Sequence, residues 1–141
     1  MSDYICYTDG GSRGNPGPAG SGAYITDGNG KMLKEATQFL GTTTNNVAEW
    51  NAVVLALETL KKIVPKAKRK TVHVEIRMDS ELVAKQIRGE YQMKHPALFP
   101  YFIAVWNLKV SEFPNMKITH VPREKNKDAD RLSNVAMDQG R

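Results

Sequence analysis

Four acidic residues in four separate segments have the greatest potential for shared chemistry. Asp9 follows a short apolar run, and Asp79 ends another. Glu49 and Asp130 lie near the starts of two predicted helices. Carboxylates brought together raise each other's pKa, so such a cluster is costly unless cations neutralise it. Hard oxygen ligands without a cysteine or histidine cluster favour Mg²⁺ or Mn²⁺, and the leading hypothesis is a paired-metal carboxylate site that cleaves phosphodiesters.

The length and composition are those of one folded domain, expected to span residues 1–141. Hydrophobic residues make up 40% and charged residues 25%, as in a typical globular protein. No apolar stretch approaches the ~20 residues of a membrane-spanning helix, and the N-terminus lacks the basic and apolar parts of a secretory signal. Cys6 is the only cysteine, so no internal disulfide can form. We therefore expect a cytoplasmic monomer that does not associate with membranes.

The formal net charge of +5 favours a polyanionic partner without identifying one. Part of the positive excess lies at residues 61–62 and 66–70. A run of this kind is more often a solvated loop than a binding patch. The charge by itself therefore gives only weak support to nucleic-acid binding.

The pattern of apolar residues predicts strands first and helices later. Residues 4–8, 21–26 and 31–40 predict three strands, with a glycine-rich loop over 10–20 and a tight turn at 27–30. A helix then opens at Thr44, where Asn46 and Glu49 have the spacing of a capping box. The remaining predictions are strands over 71–78 and 116–121 and helices over 80–87, 96–110 and 126–137. This order predicts an α/β fold with a mixed five-stranded sheet, its first three strands antiparallel, flanked by helices.

Four segments resemble the signatures of the ribonuclease H family, type 1 class, in order and spacing. They are residues 7–20 (YTDGGSRGNPGPAG), 43–49 (TTNNVAE), 79–80 (DS) and 126–132 (NKDADRL). One such segment would be a weak signal, whereas four in order, each with the family's acid, are specific. The resemblance covers nearly the whole chain and implies a ribonuclease H-like fold.

The resemblance also implies roles for the four acids. Asp9 would bridge two divalent ions, Glu49 and Asp79 would hold one of them, and Asp130 would hold the other. Such a pair activates water and stabilises the departing 3′ oxygen. The implied reaction cleaves the RNA strand of RNA/DNA hybrids and leaves 5′-phosphate and 3′-hydroxyl ends.

Substrate contacts are implied in the same way. Asn15, Asn45 and Asn46 match family positions that contact 2′-hydroxyl groups, the feature that distinguishes RNA from DNA. Thr44 matches a residue that binds a phosphate of the DNA strand. The glycine loop adds candidates for close backbone approach or phosphate contact: Gly10, Gly11 and Arg13.

Two departures from the common family pattern place the chain near a compact branch of the family. The segment 87–96 is too short for the basic helical protrusion of many members. The loop 121–126 lacks the histidine found there in many members, and His120 is expected inside a strand. The residues that could replace this histidine are Arg123, Glu124 and Lys125.

Three functions therefore remain open at the level of sequence. The first is cleavage of RNA in hybrids, and the second adds double-stranded RNA as a substrate, because some compact members cut it. The third is a non-catalytic hybrid-binding module that has kept the fold.

Overall fold

A computed structural model describes residues 2–140 of the chain. The strands are β1 (Tyr4–Ser12), β2 (Gly17–Asp27), β3 (Met32–Thr43), β4 (Val74–Met78) and β5 (Met116–His120). They lie in the order β3-β2-β1-β4-β5, with β1–β2 and β2–β3 antiparallel and β1–β4 and β4–β5 parallel. This confirms the predicted mixed sheet. The predicted domain limits, residues 1 and 141, lie outside the described residues.

Four α-helices within residues 2–140 flank the sheet. They are α1 (Asn45–Ile63), α2 (Glu81–Ile87), α3 (Phe99–Ser111) and α4 (Lys127–Asp138). Pro100 does not interrupt α3, because it lies in the first turn, where proline is tolerated. Across the described part of the chain, every helix is too short or too polar to cross a membrane.

Three local predictions were wrong. Thr44, not Asn46, caps α1, because its Oγ1 accepts the Val47 N–H at 3.3 Å; Glu49 therefore lies beyond the position that could close a capping box. The glycine loop is shorter than predicted, since β1 continues to Ser12 and β2 begins at Gly17. The strand predicted from residue 71 begins at Val74, because the N–H groups of residues 71 and 72 donate to the carbonyl of residue 68 in a turn.

The main core lies between the sheet and α1. Trp50 and Leu57 of α1 are fully buried there with Cys6 and Ile76 of the sheet. Burial raises the pKa of the Cys6 thiol to about 12, so this cysteine stays neutral. The helix α3 packs on α1, whereas α4 packs against β1, β2 and β3.

Glycines bring both helices into direct contact with the strands. A Cβ at Gly10 would lie 2.2 Å from the carbonyl carbon of Ala48 in α1. A Cβ at Gly22 would lie 2.6 Å from the backbone nitrogen of Ser133 in α4. Gly22 is paired with Asp9, the residue before Gly10 in β1. Successive residues of a strand face opposite sides of the sheet, so α1 and α4 pack on opposite faces of the sheet.

Replacing Gly10 by alanine should destabilise the fold, because its methyl group would overlap the α1 backbone. We expect a loss of about 1–3 kcal/mol in the free energy of unfolding, as in overpacked cores. The control is Gly11→Ala, whose Cβ would make only ordinary van der Waals contacts, with the flexible Met137 side chain at 3.4 Å and with Asn45 Oδ1 at 3.8 Å. Urea denaturation of both variants measures the difference, and equal stabilities would contradict the close packing of α1 on β1.

Candidate active site

The pairing of β1 with β4 brings Asp9 and Asp79 to the same end of the sheet. In this parallel register Thr8 lies opposite Met78, and each acid is the next residue along the chain. Parallel strands run in one direction, so the two acids occupy matching positions. The tertiary structure therefore places side by side two carboxylates that are 70 residues apart in sequence.

The two close helix contacts bring Glu49 and Asp130 to the same strand. The backbone of Glu49 lies against Gly10, the residue after Asp9. The turn of α4 that carries Asp130 crosses Gly22, which is paired with Asp9 in the β1–β2 ladder. One acid thus comes from each of two helices on opposite faces of the sheet.

All four acids line one pocket of about 300 Å³. Within residues 2–140, however, no group of three or more Asp, Glu, His or Cys side chains is arranged to hold a single ion. Repulsion between carboxylates favours such spreading when no cation lies between them. The four acids therefore share one pocket but are spread around its wall.

The electrostatic cost of the pocket falls mainly on Asp9. Burial raises the pKa of Asp9 to about 8, and the nearby charges of Asp79 and Asp130 contribute to the rise. A hydrogen bond between Asp9 and Asp130 acts in the same direction, whereas the Gly10 N–H lowers this pKa. The pocket therefore holds more negative charge than its own donors can stabilise.

Glu49 also has fewer donors than its carboxylate needs, and the deficit lies at one oxygen atom. Burial raises the pKa of this carboxyl and the Asp79 charge adds to the rise, while the Ser80 hydroxyl and Arg123 oppose it. Glu49 Oε2 is buried and has no hydrogen-bond partner. Buried carboxylate oxygens are normally paired with donors or cations, so the donor set fits a divalent cation.

Two polar residues support the acids and were not singled out from the sequence. The Nδ2 of Asn126, only 1% exposed, donates to the Thr8 carbonyl at 2.9 Å and to Asp79 Oδ2 at 3.4 Å. The Oγ of Ser133 lies 3.4 Å from Asp9 Oδ2, but its single proton has a shorter acceptor in the Asp130 carbonyl, at 2.8 Å. Asn126 stands in the fourth motif, but only the tertiary structure reveals its partner Thr8, 118 residues earlier.

A second depression, of about 440 Å³, adjoins the acidic pocket, and Glu49 and Asn45 line both. The predicted substrate residues that line it are Asn15, Thr44, Asn45 and Asn46. His95 lines it as well, although the sequence gave no reason to assign this loop residue a role. The structure therefore places most of the predicted substrate contacts beside the acidic pocket.

Hydrogen bonds fix the orientation of two amides in this depression. The Oδ1 of Asn15 accepts the Asn45 N–H at 3.0 Å. The Oδ1 of Asn45 accepts the Ser12 N–H at 2.7 Å and the Ser12 hydroxyl at 3.1 Å. Both amide oxygens thus have partners within the protein, and the Nδ2 groups remain as donors for a ligand.

The other glycine-loop candidates are placed differently. Gly10 and Gly11 line the acidic pocket within β1. Arg13 lines neither depression; its guanidinium forms an exposed ion pair with Asp138 at 2.6 Å. To contact a phosphate as predicted, Arg13 would therefore have to leave Asp138.

The three candidates for the missing histidine form one 3₁₀ turn, Arg123–Lys125. Arg123 lines the acidic pocket, whereas Glu124 and Lys125 do not. His120 is the last residue of β5 and is exposed. The structure therefore singles out Arg123.

Comparisons with known proteins agree with this architecture. A family model described as reverse transcriptase-like matches residues 7–136. A bifunctional protein of Mycobacterium tuberculosis is 40% identical over 95% of this chain, which spans 35% of that protein. A ribonuclease HI of Halobacterium salinarum is 39% identical over 94% of the chain and 63% of its own length. The chain thus spans from about a third to under two thirds of these relatives.

Other similar proteins match the chain over most of their own length. A ribonuclease H of Desulforamulus reducens is 32% identical over 99% of this chain and 90% of that protein. The solved structure of LC11-RNase H1, isolated from compost by a metagenomic approach, has a TM-score of 0.91 and 47% identity, covering 99% of this chain and 98% of that one. LC11-RNase H1 has also been crystallised with an RNA/DNA hybrid. The chain therefore belongs to the ribonuclease H family, as its four motifs predicted.

Proposed function

We propose that this chain is a metal-dependent endonuclease that hydrolyses the RNA strand of RNA/DNA hybrids, leaving 5′-phosphate and 3′-hydroxyl ends. The proposal is carried by one observation: acids from four separate elements line one pocket beside an amide-lined depression. The structure of LC11-RNase H1 with a hybrid supports the choice of substrate. A cytoplasmic location remains a prediction from the sequence.

The four acids would hold two Mg²⁺ or Mn²⁺ ions. Asp9 would contact both, Glu49 and Asp79 one, and Asp130 the other. When bound, the ions would supply an activated water nucleophile and stabilisation of the leaving oxygen. Asn126 would keep Asp79 oriented.

The adjoining depression would position the substrate. The free Nδ2 groups of Asn15 and Asn45 can donate to 2′-hydroxyl oxygens, and Asn46 lines the same space. The Thr44 hydroxyl accepts the Val47 N–H, which leaves its own proton available for a phosphate oxygen of the DNA strand. Sugar recognition would therefore lie directly beside the scissile bond.

Asp9→Asn should abolish hybrid cleavage, because it removes the charge predicted to contact both ions. We expect a fall in kcat of at least about 100-fold, measured on a labelled hybrid with Mg²⁺ or Mn²⁺. The matched control is Asp128→Asn, an exposed acid of the same helix as Asp130 that does not line the pocket. If the wild-type chain cuts no hybrid and calorimetry detects no uptake of Mn²⁺, the non-catalytic binding module is the better assignment.

The same substitution should change how stability depends on pH in metal-free buffer. Folding raises the pKa of Asp9 from 3.8 to about 8. The contribution of this carboxyl to stability is therefore complete below pH 3.8 and is lost as the pH rises through about 8. The Tm of Asp9→Asn minus that of wild type should therefore increase between these pH values, by several degrees for a domain of this size. A Tm difference that does not vary with pH would contradict the assigned burial and repulsion.

Double-stranded RNA is a second candidate substrate. Only residues 88–95 separate α2 from the 3₁₀ turn Pro96–Leu98, so no helical protrusion lies between these elements. We expect cleavage of both hybrid and duplex RNA, with the hybrid preferred. Parallel assays on matched sequences in each metal measure the ratio, and intact duplex RNA under conditions of complete hybrid cleavage would remove this candidate.

Arg123→Ala should lower turnover more than substrate affinity. Arg123 lines the acidic pocket, and its charge lowers the pKa of Glu49. Because a guanidinium stays protonated, its contribution would be electrostatic, and we expect kcat to fall about 10-fold with KM little changed. The neighbouring variants Glu124→Ala and Lys125→Ala serve as controls, and equal turnover in all three would reject a role for Arg123.

A further inference from the structure

Three residues lie in one row across the first three strands, below the start of α1. Gly10 of β1 is paired with Ser21 of β2, and Ser21 is paired with Gln38 of β3. Directly paired residues point to the same face of a sheet, and Gly10 faces α1. The row therefore forms a floor under the helix that carries Glu49.

This floor contacts one peptide group of α1 closely. A Cβ at Gly10 would lie 2.2 Å from the Ala48 carbonyl oxygen and 2.5 Å from the Glu49 nitrogen. The Ser21 hydroxyl donates to the same carbonyl oxygen at 2.7 Å, and Ser21 and Ala48 are both fully buried. The missing side chain of one strand and the hydroxyl of the next thus hold the peptide group that joins Ala48 to Glu49.

Asn51 fixes the direction of this hydroxyl. It lies one turn further along α1, is 7% exposed, and donates through Nδ2 to Ser21 Oγ at 3.1 Å and to Gln38 Oε1 at 3.0 Å. Because Ser21 Oγ accepts from Asn51, its own single proton is directed to the Ala48 carbonyl. A chain of hydrogen bonds therefore runs from β3 through Asn51 and β2 to the peptide group before Glu49.

These hydrogen bonds restrict α1 in a way that apolar packing does not. Burial of apolar surface is non-directional, so the buried Trp50 and Leu57 would stay buried if the helix slid slightly. A hydrogen bond instead weakens with distance and angle, and breaking one inside the protein leaves a buried polar group unpaired. Catalytic side chains must be held within about 0.5 Å of their productive positions, and the hydrogen bonds at Ser21 give α1 that restraint beside Glu49.

We propose that Ser21 and Asn51 are positioning residues, which fix the backbone of Glu49 relative to Asp9 and so set the separation of these two acids. This role rests on the proposed function, in which Asp9 and Glu49 share one divalent ion. Neither Ser21 nor Asn51 lines the acidic pocket or the depression beside it. They would therefore act on the metal only through the backbone of α1.

Calorimetric titration of metal-free protein with Mn²⁺ tests the proposal without a substrate. Ser21→Ala should bind Mn²⁺ about 10-fold more weakly than wild type, as for other residues that support metal ligands, and kcat on a hybrid should fall in parallel. The variant should remain folded, because Ala48 lies inside α1 and its carbonyl also belongs to the helical hydrogen-bond ladder. Circular dichroism and urea denaturation check this.

The matched control is Thr26→Val. Thr26 lies in the same strand, is 3% exposed, and donates its hydroxyl proton to a backbone carbonyl, that of Asp27, at 2.8 Å. It lines neither the acidic pocket nor the adjoining depression. Thr26→Val should therefore lose stability to a similar degree as Ser21→Ala but bind Mn²⁺ like wild type.

A double variant tests whether Asn51 acts through Ser21. Asn51→Ala should weaken Mn²⁺ binding by a smaller factor than Ser21→Ala, because the hydroxyl remains but is no longer directed. Ser21→Ala combined with Asn51→Ala should bind no more weakly than Ser21→Ala, since residues of one hydrogen-bond network are not additive. Additive losses of affinity would overturn the role of Asn51.

Two results would overturn the role of Ser21. One is a Ser21→Ala variant that binds Mn²⁺ as tightly as wild type. The other is a Thr26→Val variant that loses as much affinity as Ser21→Ala, which would trace the loss to general destabilisation. A wild-type chain that takes up no Mn²⁺ would instead contradict the proposed function itself, and the positioning role with it.

Discussion

Repulsion among acids within one pocket is the constraint on which the rest of this structure depends. Burial and neighbouring carboxylates raise the pKa of Asp9 to about 8, and Glu49 keeps a buried oxygen without a partner. Such an arrangement persists only when the surrounding fold holds it in place. Here, strand pairing and helix packing supply that restraint, and bound cations would relieve the cost of gathering the acids.

The restraint comes from close backbone contact on both faces of one strand. Gly10 admits α1 on one side, and Gly22, paired with Asp9, admits α4 on the other. Neither approach would be possible with a side chain at these positions. Short distances between backbones leave little freedom for the acids they carry, and this rigidity suits a site that must position charge accurately. Asn126, directly before α4, adds a buried link to Thr8 of β1 and to Asp79 at the end of β4.

The acidic pocket and the amide-lined depression are contiguous. They share Glu49 and Asn45, so recognition of the sugar and cleavage of the backbone would be coupled through these two side chains.

The sequence alone determined the strand and helix order, the mixed sheet and the set of four acids, because apolar periodicity and motif spacing are local properties. It placed the cap of α1 at the wrong residue and ended β1 too early, since glycines predict a loop unless their strand partners are known. Only the tertiary structure decided that Arg123 lines the pocket and that Asn126 holds Asp79. Those outcomes depend on contacts between distant segments, which no local pattern encodes.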